Sequence, residues 1–226
     1  MIDTLLPATL ADLKKLTEAD SKKIFHLENA RVAAAIAAQE EITLDRARRQ
    51  EERTKAQDDQ HHVYQFDDDV THESVGKCVK KLMEWHRIDP GCAIDIQLNT
   101  YGGDMFSGFR LIDVIHDLRD KGHNITTSVY GIAASMGAVI LQAGTDRIAG
   151  RNAFILLHQG SARVDGSIGD IEDDNELIKK LQARILENLE ERSSMTGRQI
   201  KSTWNRKNWW INAQEALDLG FVDQIR

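Results

Sequence analysis

At 226 residues, with 41% hydrophobic and 29% charged side chains, the chain is long enough for one well-buried domain plus an appendage. A net charge of −7, with basic residues interspersed among acids and no Lys/Arg cluster interleaved with aromatics, argues against nucleic acid as a partner. No apolar run reaches the ~18 residues needed to span a bilayer and no apolar signal core opens the chain, so the expected location is cytoplasmic, away from membrane.

Glycine is the most uneven residue: all fifteen lie at Gly76 or later, and residues 8 to 75 contain neither glycine nor proline. The first quarter is therefore expected to be helical. Leu10, Leu13 and Leu16, then Ile24, Phe25 and Leu27, then Val32 and Ile36 mark intermittent apolar faces, which predicts one or two amphipathic helices over 8–38. Glu40 to Gln60 is almost wholly polar, and 39–60 reads as a solvated extension or linker, either a dispensable charged tail or an arm for assembly or partner binding. The expected division is a charged helical extension or linker over 1–62 and a catalytic domain over 63–226.

From residue 63 strand and helix patterns alternate. Strands are expected at Val63 to Phe66, Ala93 to Asn99, Thr126 to Tyr130, Arg147 to Ile148 and Ala153 to His158. Helices are expected at Thr71 to Arg87, Phe106 to Arg119, Ser135 to Ala143 and, as a long one, 169 to 195 with a stripe through Ile171, Leu177, Ile178, Leu181, Ile185, Leu186 and Leu189. This succession predicts an α/β fold with a mostly parallel sheet flanked by helices, its chemistry at strand ends. Gly160 to Gly169 is polar and glycine-rich, as expected of a mobile segment that pairs with a peptide.

Three of those strand ends carry complementary groups. Ser135 sits where the apolar run Val129-Tyr130 turns into small residues and then a helical run, so its hydroxyl is presented beside backbone N–H groups suited to developing negative charge. His158 ends the run Phe154 to Leu157, beside Gln159 and Gly160, and supplies a base. Gly102-Gly103 lets the backbone approach a bound carbonyl, with the N–H groups of Gly103 and Met136 as an oxyanion pocket. Each feature alone has a plain structural explanation, in helix packing or a satisfied polar residue; together they favour nucleophilic catalysis.

Asn99 to Gly108, Ala133-Ala134-Ser135-Met136-Gly137-Ala138, Leu157-His158-Gln159 and Ala213 to Asp223 resemble the proteolytic subunit of Clp protease and its phage relatives, over roughly residues 63 to 226. The resemblance implies a serine endopeptidase of the crotonase/ClpP-like fold. In it Ser135 attacks the scissile carbonyl, His158 moves the proton, and Gly103 and Met136 hold the oxyanion. It further implies a homo-oligomer, a heptameric ring or double ring, in which the long helix projects as a handle. The expected partners are a protein or peptide substrate and either an unfoldase or a capsid or scaffold protein matured in a phage head.

The family's third catalytic position departs from pattern, because aligning back from Ala213-Gln214-Glu215-Ala216 places it on Asn208. An asparagine accepts the ring N–H through its carbonyl but offers the imidazolium no charge, so slower chemistry is expected. Asp170, Asp173 and Asp174 are alternative carboxylates, although acids at a helix start ordinarily cap it. Two other function classes stand beside the peptidase: a catalytically weak scaffold of the same fold, and an acyl-CoA enzyme, which the serine and histidine blocks disfavour.

No cofactor and no metal are expected. His61, His62, His72, His86, His116 and His123 show no metal-ligand spacing with acids or cysteines, and Asp67-Asp68-Asp69 lacks further oxygen ligands nearby. Cys78 and Cys92 read as reduced packing residues rather than a disulfide, and Trp204, Trp209 and Trp210 as packing or interface residues.

Overall fold

The structure, a computed structural model, describes residues 18–160, 165–205 and 207–226. Contacts divide the chain into two units, Met1–Gln57 and Asp58–Arg226.

The described residues of the first unit belong to α1, which runs unbroken over Glu18–His61. The linker expected over 39–60 is therefore helical, while residues 8 to 17 of the predicted amphipathic segment lie outside the described residues. A continuous helix follows from alanine, glutamate, arginine and glutamine, strong formers that need no buried face, and from i,i+4 pairs such as Arg49 with Asp45. Phe25, Val32, Ile36 and Leu44 along it are exposed.

The second unit is a layered α/β structure. Its strands are β1 (Val63–Phe66), β2 (Ile94–Thr100), β3 (Ile125–Ala134), β4 (Asp146–Ala149), β5 (Phe154–Leu157), β6 (Trp209–Asn212) and β7 (Gln224–Ile225). They form one sheet in the order β1-β2-β3-β4-β7, with β5 also on β3 and β6 on β5; every pairing is parallel except β5 with β6. β2 alternates buried Ile94, Ile96 and Leu98 with half-exposed residues, the period-two pattern of a strand covered mainly on one face.

Helices α2 (His72–Ile88), α3 (Met105–Asp120) and α4 (Met136–Leu141) form the core with the sheet, through Val75, Cys78, Val79, Leu82 and Trp85 on α2 and Leu111, Ile112, Ile115 and Leu118 on α3. Their spacing at three and four residues is the helical stripe visible in the sequence. Thr71 and Ser74 close a capping box at the start of α2, and Asp104 caps α3 by accepting the N–H of Ser107. α5 (Ile168–Arg192) buries only Ile185 and Leu189, near its C-terminal end, so the predicted stripe continues as exposed Ile171 and Leu177. The short α6 (Gly197–Trp204) and α7 (Ala213–Asp218) complete the unit.

One ion pair fastens the C-terminal end to the sheet. Arg147 on β4, with its side chain 5% exposed, donates to both carboxylate oxygens of Asp223, to Gln142 Oε1 at 2.7 Å, and to the carbonyls of Arg192 and Gly220. Removing the guanidinium would leave several acceptors buried without a donor. Arg147→Ala is expected to lower unfolding stability by about 3 kcal/mol, the lower end for a broken buried pair because Asp223 is partly exposed. Urea unfolding measures it, and a loss within error of zero would contradict the assignment.

Burial acts to raise the Asp223 carboxyl, but the bonds and charge of Arg147 outweigh it and hold its pKa below the ordinary carboxylate value. A lowered folded-state pKa means that this stabilisation is complete above the unfolded value of about 4 and is lost as pH falls through the folded value. Asp223→Asn should therefore show a smaller stability difference than wild type between about pH 7 and about pH 3. An unchanged difference in the same urea measurement would show that the pair carries no acid-labile stability.

Candidate active site

β3 reaches past the limits predicted for it, and its second half shapes the site. Its first half pairs with β4 through Thr126 to Val129, and its second half pairs with β5 through Ile132 to Ala134. On the opposite edge β2 pairs on both sides of Asn99, but Leu98 faces Val129 while Thr100 faces Ala133, so two steps along β2 span four along β3. The extra residues bulge outward around Gly131, whose φ is +96° and where a Cβ would lie 2.7 Å from Asn99 Oδ1. Asn99 fills the gap by accepting from the N–H of Ile132 at 3.4 Å, and its amide donates to Asp67 at 2.6 Å.

Ser135 follows directly. Its N–H donates to Leu156 O at 2.8 Å, so the residue is tied to β5 two positions before His158. It has φ 53° and ψ −121°, a conformation that non-glycine residues rarely hold and that persists only when neighbours over-determine it. The hydroxyl makes no capping bond to α4 and is left for other chemistry. Gly102 is the main neighbour: at φ +92°, a Cβ there would lie 2.7 Å from Ser135 Cβ and 2.6 Å from Ala134 O.

Two residues that line the same cavity as Ser135 carry backbone N–H groups with no acceptor among the described residues. Val70 N–H donates to Gly102 O and Asp104 N–H donates to Val70 O, so the residue between them, Gly103, turns its own N–H away from Val70. Met136 opens α4, where no preceding turn exists to accept its N–H. Gly103, Ser135, Met136 and His158 together line a cavity of about 180 Å³. Met105, Val139, Leu157, Ile185 and Trp204 provide its apolar wall.

His158 follows β5 and is half-buried. Its Nδ1 lies 2.9 Å from Gln159 O, and since a carbonyl can only accept, Nδ1 carries the proton and Nε2 of the neutral ring is the basic nitrogen. A backbone carbonyl thus sets the tautomer, a role that reading side-chain types along the sequence did not reveal. Ser135 Oγ and the imidazole share the cavity without a hydrogen bond between them, and Nε2 is the nitrogen through which one would form.

Asn208 is exposed and makes no hydrogen bond to the ring. The antiparallel register of β5 with β6 runs from Phe154 opposite Asn212 to Leu157 opposite Trp209 and ends there, so His158 and Asn208 each lie one residue beyond the last pair. Asp170 is engaged elsewhere: it accepts from the N–H and hydroxyl of Ser167 in the capping box of α5, which lowers its pKa. Asp173 and Asp174 are exposed on the same helix. In the segment 160–169 expected to bind peptide, residues 161–164 lie outside the described residues.

The arrangement offers a hydroxyl, a basic ring nitrogen, two unengaged backbone donors and an apolar recess, the groups that acyl transfer needs. Trp204, expected as a packing residue, is buried and also forms part of the recess wall.

A family model described as Clp protease matches residues 48–226. The ATP-dependent Clp protease proteolytic subunit 1 of Leifsonia xyli subsp. xyli is 34% identical over 160 residues, covering 70% of this chain and 79% of that protein. Proteolytic subunit 2 of Tropheryma whipplei is 34% identical over 65% of this chain and 80% of its own length. Proteolytic subunit 1 of Chlamydia muridarum is 32% identical over 71% and 83%.

Placing a methyl group on Gly102 must push Ser135 or the backbone of Ala134 aside. Gly102→Ala is expected to slow labelling of Ser135 by a fluorophosphonate about 100-fold, the effect of displacing a reacting group by about 1 Å, while circular dichroism stays that of wild type. Labelling at the wild-type rate would show that this contact does not position the serine.

Proposed function

The chain belongs to the Clp protease family, and from that premise we propose that it is a serine endopeptidase working through an acyl-enzyme on Ser135. Ser135 Oγ attacks the carbonyl carbon of the scissile bond while His158 Nε2 takes the hydroxyl proton. The N–H groups of Gly103 and Met136 hold the resulting oxyanion. Collapse of this intermediate breaks the C–N bond, the imidazolium returns its proton to the leaving amine, and water then hydrolyses the ester by the same steps. The observation that carries the reading is that paired strands β3 and β5 deliver Ser135 and His158 to one cavity beside two unengaged backbone donors.

Catalysis requires side-chain rotation within the cavity to close the bond from Ser135 Oγ to Nε2. Asn208 is the third member in this proposal, its carbonyl taking over the Nδ1 proton from Gln159 O, as the β5–β6 register suggests. Because asparagine leaves the imidazolium without a countercharge, the enzyme is slower than one with aspartate there. The apolar wall of Met105, Val139, Leu157, Ile185 and Trp204 favours peptides with an apolar side chain before the scissile bond.

We take the working form to be a homo-oligomeric ring or double ring that covers the exposed apolar residues of α5 together with Phe154 and Trp210. The long polar α1 favours a specialised protein substrate, such as the capsid or scaffold protein of a maturing phage head. A housekeeping peptidase served by an ATP-dependent unfoldase is the second reading, favoured by the relatives, which are named as proteolytic subunits of an ATP-dependent protease.

Incubating wild type and Ser135→Ala with peptides of apolar P1 residue, and following their masses, tests the reaction. Hydrolysis by wild type alone is expected; equal rates would remove Ser135 from the reaction, and none from the assembled wild type would leave the fold acting as a scaffold. Asn208→Asp is expected to raise kcat about tenfold or more, since the reverse change in a serine triad lowers it by several powers of ten. A fall, or no change, would remove Asn208 from the mechanism.

A further inference from the structure

Away from the cavity, three chain segments meet at the start of the catalytic unit. His62 joins α1 to β1, and its carbonyl accepts the N–H of Asp95 at 3.0 Å, anchoring it beside β2. Asp89-Pro90-Gly91-Cys92 is a tight turn between α2 and β2: Cys92 N–H donates to Asp89 O at 3.2 Å, and Gly91 supplies φ +85°. The turn brings the Asp89 carboxylate and Cys92 thiol onto the side where the His62 imidazole lies. One ligand atom from each of the three lies within 4.8 Å of the others.

We propose that His62, Asp89 and Cys92 form a binding site for a borderline-soft divalent cation of the zinc type, with water as the fourth ligand. The donor set is one nitrogen, one oxygen and one sulfur, which suits zinc and disfavours magnesium or calcium, both of which take oxygen ligands. Thiolate and carboxylate together neutralise a doubly charged cation. Zinc bonds of about 2.0 to 2.3 Å place tetrahedral nitrogen, oxygen and sulfur ligand atoms roughly 3.3 to 3.6 Å apart, so the trio must contract by up to about 1.5 Å. Asp89 is exposed and free to rotate, and the same open side admits the ion and its water.

The surroundings hold the ligands in place. His123, 3% exposed, donates its Nδ1–H to Cys92 O at 2.9 Å, and that nitrogen lies 3.6 Å from Cys92 Sγ. Its Nε2 accepts from the Gly91 N–H and from His86 Nδ1, so a buried imidazole bonded at both nitrogens fixes the turn. The His62 ring packs edge-on against Trp85 at 5.4 Å. His62 also has φ 51°; among the described residues the other non-glycine residue with positive φ is Ser135. Both are held in an uncommon backbone geometry where a side chain must be aimed.

Titrating the full chain with cobalt(II) tests the site, because a thiolate ligand produces a charge-transfer band in the near ultraviolet that nitrogen and oxygen ligands do not. One equivalent of cobalt should produce that band, and zinc should abolish it. Cys92→Ser should lose the band while Cys78→Ser keeps it. His62→Gln and Asp89→Asn, each at a residue that is not buried, should weaken binding at least about tenfold with unchanged circular dichroism. No thiolate band at saturating cobalt, a band that survives Cys92→Ser, or unchanged affinity in His62→Gln would overturn the proposal.

Discussion

The candidate site depends on one strand serving two partners along the same edge. β3 gives its first half to β4 and its second half to β5, and between them it accommodates extra residues opposite an unbroken β2. A single residue of slip would reverse which face each side chain takes, so the insertion has to be absorbed locally. Gly131 and the amide of Asn99 absorb it. Beyond the bulge the strand is re-aimed and runs alongside β5, and both end at the same place. Ser135 and His158 are neighbours because their strands are.

The same junction explains the strain at Ser135. The chain must leave β3 and enter α4 within one residue while its N–H stays bonded to Leu156, and Gly102 closes the space behind it. A conformation of this kind costs about 1 to 3 kcal/mol, which the surrounding sheet and the buried helix α4 can sustain. In return the hydroxyl is directed away from its own helix and toward the cavity. The two unengaged N–H groups follow from the same geometry, one from the bridge that Gly103 makes with Val70 and one from the first turn of α4.

Much of this was legible in the residues. Period-two burial in β2, the stripe on α2 and the change from an apolar run to small residues at Ser135 are local signals, and the corresponding elements form close to where they are expected. What escaped is relational. The bulge in β3 exists only as a comparison of two registers, so Thr126 to Tyr130 marks only half of the strand. The tautomer of His158 depends on a backbone carbonyl, and the trio of His62, Asp89 and Cys92 arises from segments with no common spacing. Arg147, marked in the sequence only as the start of a short strand, unites β4, α4, α5 and the C-terminal end. Over α1 the helical extension expected from propensity is present, and only 39–60 differs: polarity suggested a linker there, whereas helix propensity without breakers carries the helix through it.

The most direct measurement of the central claim is a crystal structure of the fluorophosphonate adduct. The account predicts phosphorus bonded to Oγ at residue 135, its oxygen within hydrogen-bond reach of both the Gly103 and Met136 amides, and the imidazole of His158 alongside. An adduct whose oxygen faces solvent or other donors, or phosphorus carried by a different residue, would contradict it.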